Sequence, residues 1–287
     1  MAFGTMIRTF WEGRWHDGDI AVMRAADHGI WQGSSVFDGA RYFDGMCPDL
    51  DLHCTRLNRS ALAMMITPTC APEDMAAIIR EGLAAYGPGQ AVYIRPMYWA
   101  LHGTEMGIVP QPGATGFAIS LEQVAMPDPT FATTLTTTRF RRPVLEDAVC
   151  NAKAGCLYPN NARMLAEAAA KGYGNALVAD ALGNLAESAT ANVFLVTDGV
   201  VRTPAPNGTF LAGITRARHI ANLRAAGVEV REEVLTFADA HAADEIFLSG
   251  NFAKVTAVRE FDGTQYRHRP VTDLARRLYL DWAAGQP

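Results

Sequence analysis

Lysine is nearly missing from this chain of 287 residues: there are three, Lys153, Lys171 and Lys254, against 22 arginines. A surface carried by arginine does not need lysine for solubility, so each lysine invites the question of what an amine does there that a guanidinium cannot. An amine can lose its proton, attack a carbonyl and form a Schiff base. Long apolar runs are missing too. The most apolar stretch, ALAMMI at 61–66, is too short to span a bilayer, and the opening MAFGTMIRTFWEGRW has no long apolar run behind its charge, which argues against a secretory signal. No membrane partner is therefore expected. Basic stripes are limited to Arg139, Arg141 and Arg142, and the net charge is −5, so a nucleic-acid partner is not expected either. The five cysteines (47, 54, 70, 150 and 156) form no C-x-x-C pair and are odd in number. That composition predicts a reduced, cytoplasmic chain without a disulfide framework and gives no metal site. Cys156, close to Lys153, reads as small packing rather than as a nucleophile.

What is present fits a globular protein of one large or two smaller domains. The composition is 49% hydrophobic and 19% charged, enough to build a core without staples. RTFWEGRWHDGDIAV predicts a hairpin. Asp51 is expected to cap a helix over 52–65, and a second helix over 73–86 to end at Gly87. AVYIRPMYW and GFAISLEQV follow as strands. AMPDPTF, with two prolines and no periodicity, reads as an interdomain linker at 124–131, dividing a domain of residues 1–123 from one of residues 132–287. In the second half, PNNARMLAEAAAKGYG predicts an Ala-rich helix stopped by Gly172, with Lys171 in the last turn against the negative end of the dipole. NVFLVTDGVVRTP predicts a hairpin turning at Asp198-Gly199. GITRARHIANLRAAG predicts a helix closing at Gly227, and VEVREEVLTF, EIFLSG and KVTAVREFDG are strands. Strands and helices interleave, which sets the class as α/β (α+β) in two subdomains.

Four places have residues suited to chemistry. Lys153 precedes the Ala-rich helix in a segment poor in charge. It is either an amine freed by desolvation or a lysine at a helix entrance; a cation there meets the positive end of the dipole, which weakens the second reading, but spacing alone leaves both open. Glu187 in NLAESATANVF is either a solvated turn acid or a buried partner for a ring N–H⁺; alone, the solvated reading is favoured because unpaired Glu is seldom buried. In LAGITRARHI, Gly213 allows close backbone approach, and Ile214 and Thr215 open a helix whose N–H groups suit a phosphate, with Arg56 as a possible fork to the same anion. An ordinary capped helix is the alternative. In YIRP, Arg95 beside Tyr93 needs an anion, either a substrate carboxylate or an internal acid.

Together these are the groups a pyridoxal phosphate pocket requires: an amine for the aldehyde, a carboxylate for the pyridine nitrogen, and an arginine with a helix N-terminus for the phosphate. The set resembles the fold-type IV pyridoxal-phosphate enzymes, most of all the branched-chain amino acid aminotransferases. The matching stretches run in family order from about residue 27 to 258: DHGIWQGSSVFDGARYF, RLNRSA, YIRP, GIVPQPG, KAGCLYPNNARMLAEA, GNLAESATANVFLV, LAGITRARHI and DEIFLSGNFAKVTAV.

The resemblance implies a small N-terminal α/β domain, a larger barrel-like C-terminal domain and a homodimer with shared active sites. It implies pyridoxal 5'-phosphate as cofactor, with Lys153 as the Schiff-base lysine and proton shuttle. Tyr158 would stand beside the phenolic oxygen and Glu187 at the pyridine nitrogen, while Arg56, Ile214 and Thr215 would hold the phosphate. Asn251 and Phe252 fall where the family has a Thr–Ala pair near the phosphate and the substrate carboxylate. Phe37, Gly39, Arg41, Tyr93 and Arg95 fall at the substrate pocket. The implied reaction is ping-pong transfer of the amino group of a branched-chain L-amino acid to a 2-oxo acid acceptor, 2-oxoglutarate. Gln32, Asn251, Phe252 and the proline of CLYPNN depart from the family pattern. They touch the substrate side, so a D-amino acid or (R)-amine transaminase, or an aminodeoxychorismate lyase, remains an alternative within the fold. A non-catalytic binding protein is disfavoured because nothing in the set formed by Lys153, Glu187 and Thr215 is broken.

Overall fold

The computed structural model describes residues 4–87 and 89–285. The outermost residues of both expected domains, 1–3 and 286–287, lie outside the described residues, as does Pro88. The chain divides into two compact units. One comprises the described residues up to Met126 together with Ala152–Cys156, and the other Pro127–Asn151 and Leu157–Gly285. The division falls inside the expected linker, and the short segment carrying Lys153 groups with the first unit.

The first unit is built on β1 (Thr5–Trp11), β2 (Arg14–Asp17), a single turn α1 (His28–Trp31), β3 (Ser35–Phe37), β4 (Ala40–Tyr42), α2 (Leu50–Ala63), α3 (Pro72–Leu83), β5 (Val92–Ala100) and β6 (Thr115–Gln123). Its sheet runs β2-β1-β6-β5-β3, with β4 also on β5, and every pairing is antiparallel. Strand alternation sorts β5 and β6 into two faces. Ile94, Tyr98, Ile119 and Leu121 are buried with Cys54, Leu57 and Ala61 of α2 and Met75 and Ile79 of α3. Tyr93, Arg95 and Met97, opposite Glu122, Ser120 and Ala118, share the other face. Two helix boundaries differ from the sequence reading. The first helix begins at Leu50 behind Asp49, whose φ of 56° is left-handed, so Asp51 lies in the first turn rather than at the cap. The second starts at Pro72, which presets the first turn, and ends at Leu83.

The second unit contains β7 (Ala132–Arg141), α4 (Tyr158–Ala170), β8 (Asn175–Ala179), β9 (Leu185–Ser188), β10 (Asn192–Thr197), β11 (Val200–Pro204), α5 (Ile214–Ala225), β12 (Val230–Glu233), α6 (Phe237–Ala242), β13 (Glu245–Gly250), β14 (Lys254–Phe261), β15 (Thr264–Gln265) and α7 (Pro270–Ala284). Its sheet is ordered β12-β11-β10-β13-β14-β7-β8-β9, with β15 on β14. Parallel pairs (β11 with β12, β14 with β7, β7 with β8) mix with antiparallel ones. The last strand, β9, comes back beside β10 and β11, so the sheet curls on itself, the barrel-like form implied by the resemblance. Both faces of β10 are buried. Val193 and Leu195 pack with Leu177, Leu248 and Phe261, while Phe194 and Val196 pack with Phe247, Ile220, Leu223 and Ala275 under α5 and α7. That explains the unbroken apolar run NVFLV. The turn to β11 takes Asp198 at φ 50° and Gly199 at φ 77°, the left-handed pair that a two-residue hairpin demands.

Candidate active site

In the first unit, a carboxylate is buried beneath the helix that carries Arg56. Asp38 follows β3 and is fully enclosed. It accepts from Arg56 Nε at 2.7 Å and Nη2 at 2.8 Å, from His53 Nδ1 at 2.7 Å and from the Gly39 N–H at 2.7 Å. Burial alone would raise the Asp38 carboxyl, but the Arg56 guanidinium and His53 overcome that and hold it well below the usual carboxylate range. The planar fork of Arg56 is thereby fixed in orientation by a bidentate partner. The 152–156 segment lies on the same unit. Phe37 N–H donates to the Lys153 carbonyl at 3.1 Å, the Lys153 N–H donates to Ser60 Oγ at 3.0 Å, and Val36 bridges Ala154. The Lys153 ammonium lies 4.8 Å from the centre of the Phe37 ring, so its main chain is bonded on both sides and its amine rests on an aromatic face.

Arg41, fully buried on β4, faces Tyr93 across the sheet and donates to the Val124 carbonyl. Burial pushes its guanidinium down to about 10, which leaves it charged at neutral pH. Arg95 lies over the Tyr93 ring. Its anion in the structure is internal: Nη1 donates to Glu122 Oε1 at 2.6 Å, and Glu122 also accepts from Ser120 and from the Gly4 N–H. Arg95, Ser120 and Glu122 line a cavity of about 370 Å³ together with Thr9, Asp19 and Met97.

In the second unit, Glu187 is not a solvated turn acid. It lies on β9 opposite Val178, only 8% exposed, on the face that α4 covers through Met164 and Ala168. The partner that makes its burial possible is Arg142: Nε is 2.9 Å from Glu187 Oε1, and Nη2 donates to the carbonyls of Ser188 and Ala189. Asn192 Nδ2 donates to Glu187 Oε2 at 3.2 Å. The sequence reading missed Arg142, which it passed over as part of a short basic run; an arginine directly before Pro143 at the end of a strand was the available signal. Tyr158 is the first residue of α4 and Pro159 the second, so the unexpected proline occupies the first turn, where it costs no hydrogen bond. Cys156 is exposed rather than packed, in a single 3₁₀ turn that leads into α4.

Helix α5 opens at Ile214 behind Gly213, with no side chain capping its first N–H groups. A Cβ on Gly213 would come within 2.1 Å of Asn192 Oδ1, so a larger residue would have to displace that amide. Thr215 is buried. In the turn after β13, the buried Nδ2 of Asn251 has no partner, and Phe252 beside it is half-exposed. An uncapped helix start and an unmet buried donor, both in this unit, are what an oxyanion such as a phosphate ester needs. In that sense the residues present fit pyridoxal phosphate.

Among the described residues no helix is long and apolar enough to cross a membrane. Lys171, at the end of α4, pairs with Glu167 at 3.1 Å and donates to the Thr137 carbonyl, a structural post.

Comparison with known proteins agrees with this chemistry. Residues 35–261 match the amino-transferase class IV family. The chain is 31% identical over 288 residues to the branched-chain-amino-acid aminotransferase of Salmonella typhimurium, covering 95% of this chain and 91% of that one. Its fold superposes with a TM-score of 0.96 on an aminotransferase from Brucella abortus bound to the cofactor PLP, at 51% identity, covering 98% of this chain and 100% of the other. It superposes with a TM-score of 0.88 on the branched-chain amino acid aminotransferase of Escherichia coli, at 28% identity over 99% of this chain and 95% of that one.

Proposed function

Because the chain belongs to the class IV aminotransferases, we propose that it moves the amino group of a branched-chain L-amino acid to 2-oxoglutarate, with Lys153 as its reactive amine. When bound, pyridoxal 5'-phosphate supplies the carbonyl that takes up the amino group and the ring that absorbs electrons as the Cα–H bond breaks. The chain's own residues do the rest. Arg56, Ile214, Thr215 and Asn251 hold the phosphate by charge and N–H donation. Glu187, paired with Arg142, would stabilise a proton on the ring nitrogen, and Tyr158 would stand at the phenolic oxygen. Lys153 Nζ would take the Cα proton of the donor as general base and give it back later as general acid, so that no net proton is gained or lost at the amine. Phe37, Gly39, Arg41, Tyr93, Arg95 and Phe252 shape the substrate side. The assembly is a homodimer with shared sites, and the five free cysteines suit a reducing cytoplasm.

The observation that supports this reading is the anchoring of Lys153, one of only three lysines in the chain: its N–H and carbonyl are both hydrogen-bonded within the first unit. Borohydride reduction of the yellow protein followed by peptide mapping tests it. Covalent fixation is expected on Lys153, and Lys153→Ala is expected to keep the fold and lose turnover; fixation on Lys171 or Lys254 overturns the assignment. A donor panel of L-Leu, L-Ile, L-Val, D-Ala, D-Glu and (R)-1-phenylethylamine, with 2-oxoglutarate as acceptor, tests the substrate. The pairing of Arg95 with Glu122 favours a second reading, a D-amino acid or (R)-amine donor, since that guanidinium already has its anion.

A further inference from the structure

The third lysine has no part in the chemistry described so far, yet Lys254 is 3% exposed. It closes the three-residue loop Asn251–Phe252–Ala253 between β13 and β14, pairing with Gly250, and its φ of 63° is left-handed. That is a backbone conformation which glycine adopts at no steric cost and an L side chain rarely does. A lysine there is strained, and its surroundings hold it, the Tyr279 ring 5.5 Å from its Nζ among them. His219, enclosed on α5 among the rings of Phe194, Phe247 and Tyr279, has Nε2 at 3.1 Å from the Lys254 carbonyl. A carbonyl only accepts, so Nε2 bears the proton and the ring pins the strained peptide. Burial pushes this imidazole down to about 4, so it stays neutral. The side chain is held by its own target, Nζ donating to Asn251 Oδ1 at 2.7 Å.

That last contact determines the chemistry of Asn251. An amide side chain can turn either end to its surroundings, but an ammonium has three donors and no acceptor. Lys254 therefore takes the oxygen and leaves the NH₂ as the group Asn251 presents, and that Nδ2 is buried without a partner. We propose that Lys254 is a positioning residue that locks the amide of Asn251 with its N–H donors turned to an oxyanion, the phosphate of the cofactor or the carboxylate of the amino donor. The proposal rests on the aminotransferase reading above. Glycine at 254 would relieve the backbone, and glutamine would present an acceptor as readily as a donor. Neither would fix the amide.

A double-mutant cycle on the full chain tests this, using Lys254→Met and Asn251→Thr. It is read by the dissociation constant of pyridoxal 5'-phosphate on the apoenzyme and by KM for the amino donor at saturating cofactor. Lys254→Met alone is expected to weaken one of the two about tenfold, the loss typical of a hydrogen bond to a charged group. A loss in cofactor affinity assigns the phosphate, and a loss in KM assigns the carboxylate. In the Asn251→Thr background the hydroxyl rotates to its acceptor without help, so adding Lys254→Met should move either quantity by less than about twofold. Equal losses in both backgrounds make Lys254 a packing residue and overturn the proposal, as does no loss in either. Should circular dichroism show Lys254→Met unfolded, Asn251→Asp replaces it. That variant keeps the ammonium paired but presents an acceptor, and wild-type constants for it overturn the proposal. A wild-type chain that takes up no pyridoxal 5'-phosphate overturns the aminotransferase reading and this proposal with it, whereas wild-type uptake with an unresponsive cycle overturns only the latter.

Discussion

Among the described residues, each unit has an arginine–carboxylate pair with both members buried, and the two pairs are wired in opposite senses. In the first unit the carboxylate is saturated: Asp38 receives both arms of the Arg56 fork, His53 and a main-chain N–H. In the second the arginine is the anchored member, with Arg142 Nη2 on two carbonyls and Nη1 on Asn161, and Arg142 and Asn192 are among the groups that meet Glu187. A buried ion pair of this kind is weak evidence for stability but strong evidence for orientation. On the function proposed above, the anchored partner is the post and the other member is the group offered to the cofactor. Arg56 is thus presented by Asp38, and Glu187 by Arg142.

The sharpest way to break this symmetry is Glu187→Gln. Size and hydrogen bonding survive and the charge does not, so the fold and cofactor binding should remain. The half-reaction that transfers the amino group to the cofactor should slow by roughly 10²–10⁴-fold, the scale of losing a positioned catalytic group. A single-turnover measurement with a good donor decides it; a wild-type rate would return Glu187 to a structural role.

Asp38→Asn attacks the post of the other pair and should act on stability instead. It strands the buried Arg56 and should cost about 3–5 kcal/mol in denaturant unfolding. The acid limb should change as well. The Asp38 pKa is depressed in the folded state, so its contribution is complete above the ordinary carboxylate range and is lost as pH falls below that range toward the folded value. The wild type should therefore lose this contribution on acidification, and the variant, having none, should show a shallower slope there. Parallel acid limbs would remove Asp38 from its place as anchor.

The smallest effect is expected from Arg56→Lys. A cation stays against Asp38, so stability should change little, while the lost fork should weaken cofactor affinity by about 1.5–3 kcal/mol. Equilibrium titration with pyridoxal 5'-phosphate reads this directly, and unchanged affinity would show that the fork faces only Asp38.

The sequence made the class, the helix at 214 and the Asp198-Gly199 hairpin legible, because each rests on local pattern, and rarity is what singled out the lysine proposed as reactive. It also placed Glu187, but not its burial. The solvated reading was favoured because no counter-ion lies nearby in sequence, and Arg142 meets it only through the pairing of β8 with β9 and of β7 with β8. Arg95 was left between two anions for the same reason: Glu122 becomes its neighbour across β6, a register no local pattern fixes. The first helix began two residues early because Asp49, in a left-handed conformation, precedes it, whereas the sequence rule prefers an extended capping residue. The grouping of Lys153 with the first unit was illegible, since it follows from two hydrogen bonds to residues some hundred positions earlier in the chain.

That last feature bears on how the chain comes off the ribosome. The first unit is interrupted: it needs Ala152–Cys156, which emerge only after β7 and the loop behind it have been made. At elongation rates of about 5–20 residues per second, Met126 precedes Cys156 by a few seconds, during which Ser60 Oγ and the Phe37 N–H lack the main-chain partners they will later meet. Lys153, the amine proposed as reactive, is therefore delivered as the closing piece of an almost finished unit, and a fragment ending at Met126 would contain a nearly complete sheet and neither that lysine nor the bridge to Val36.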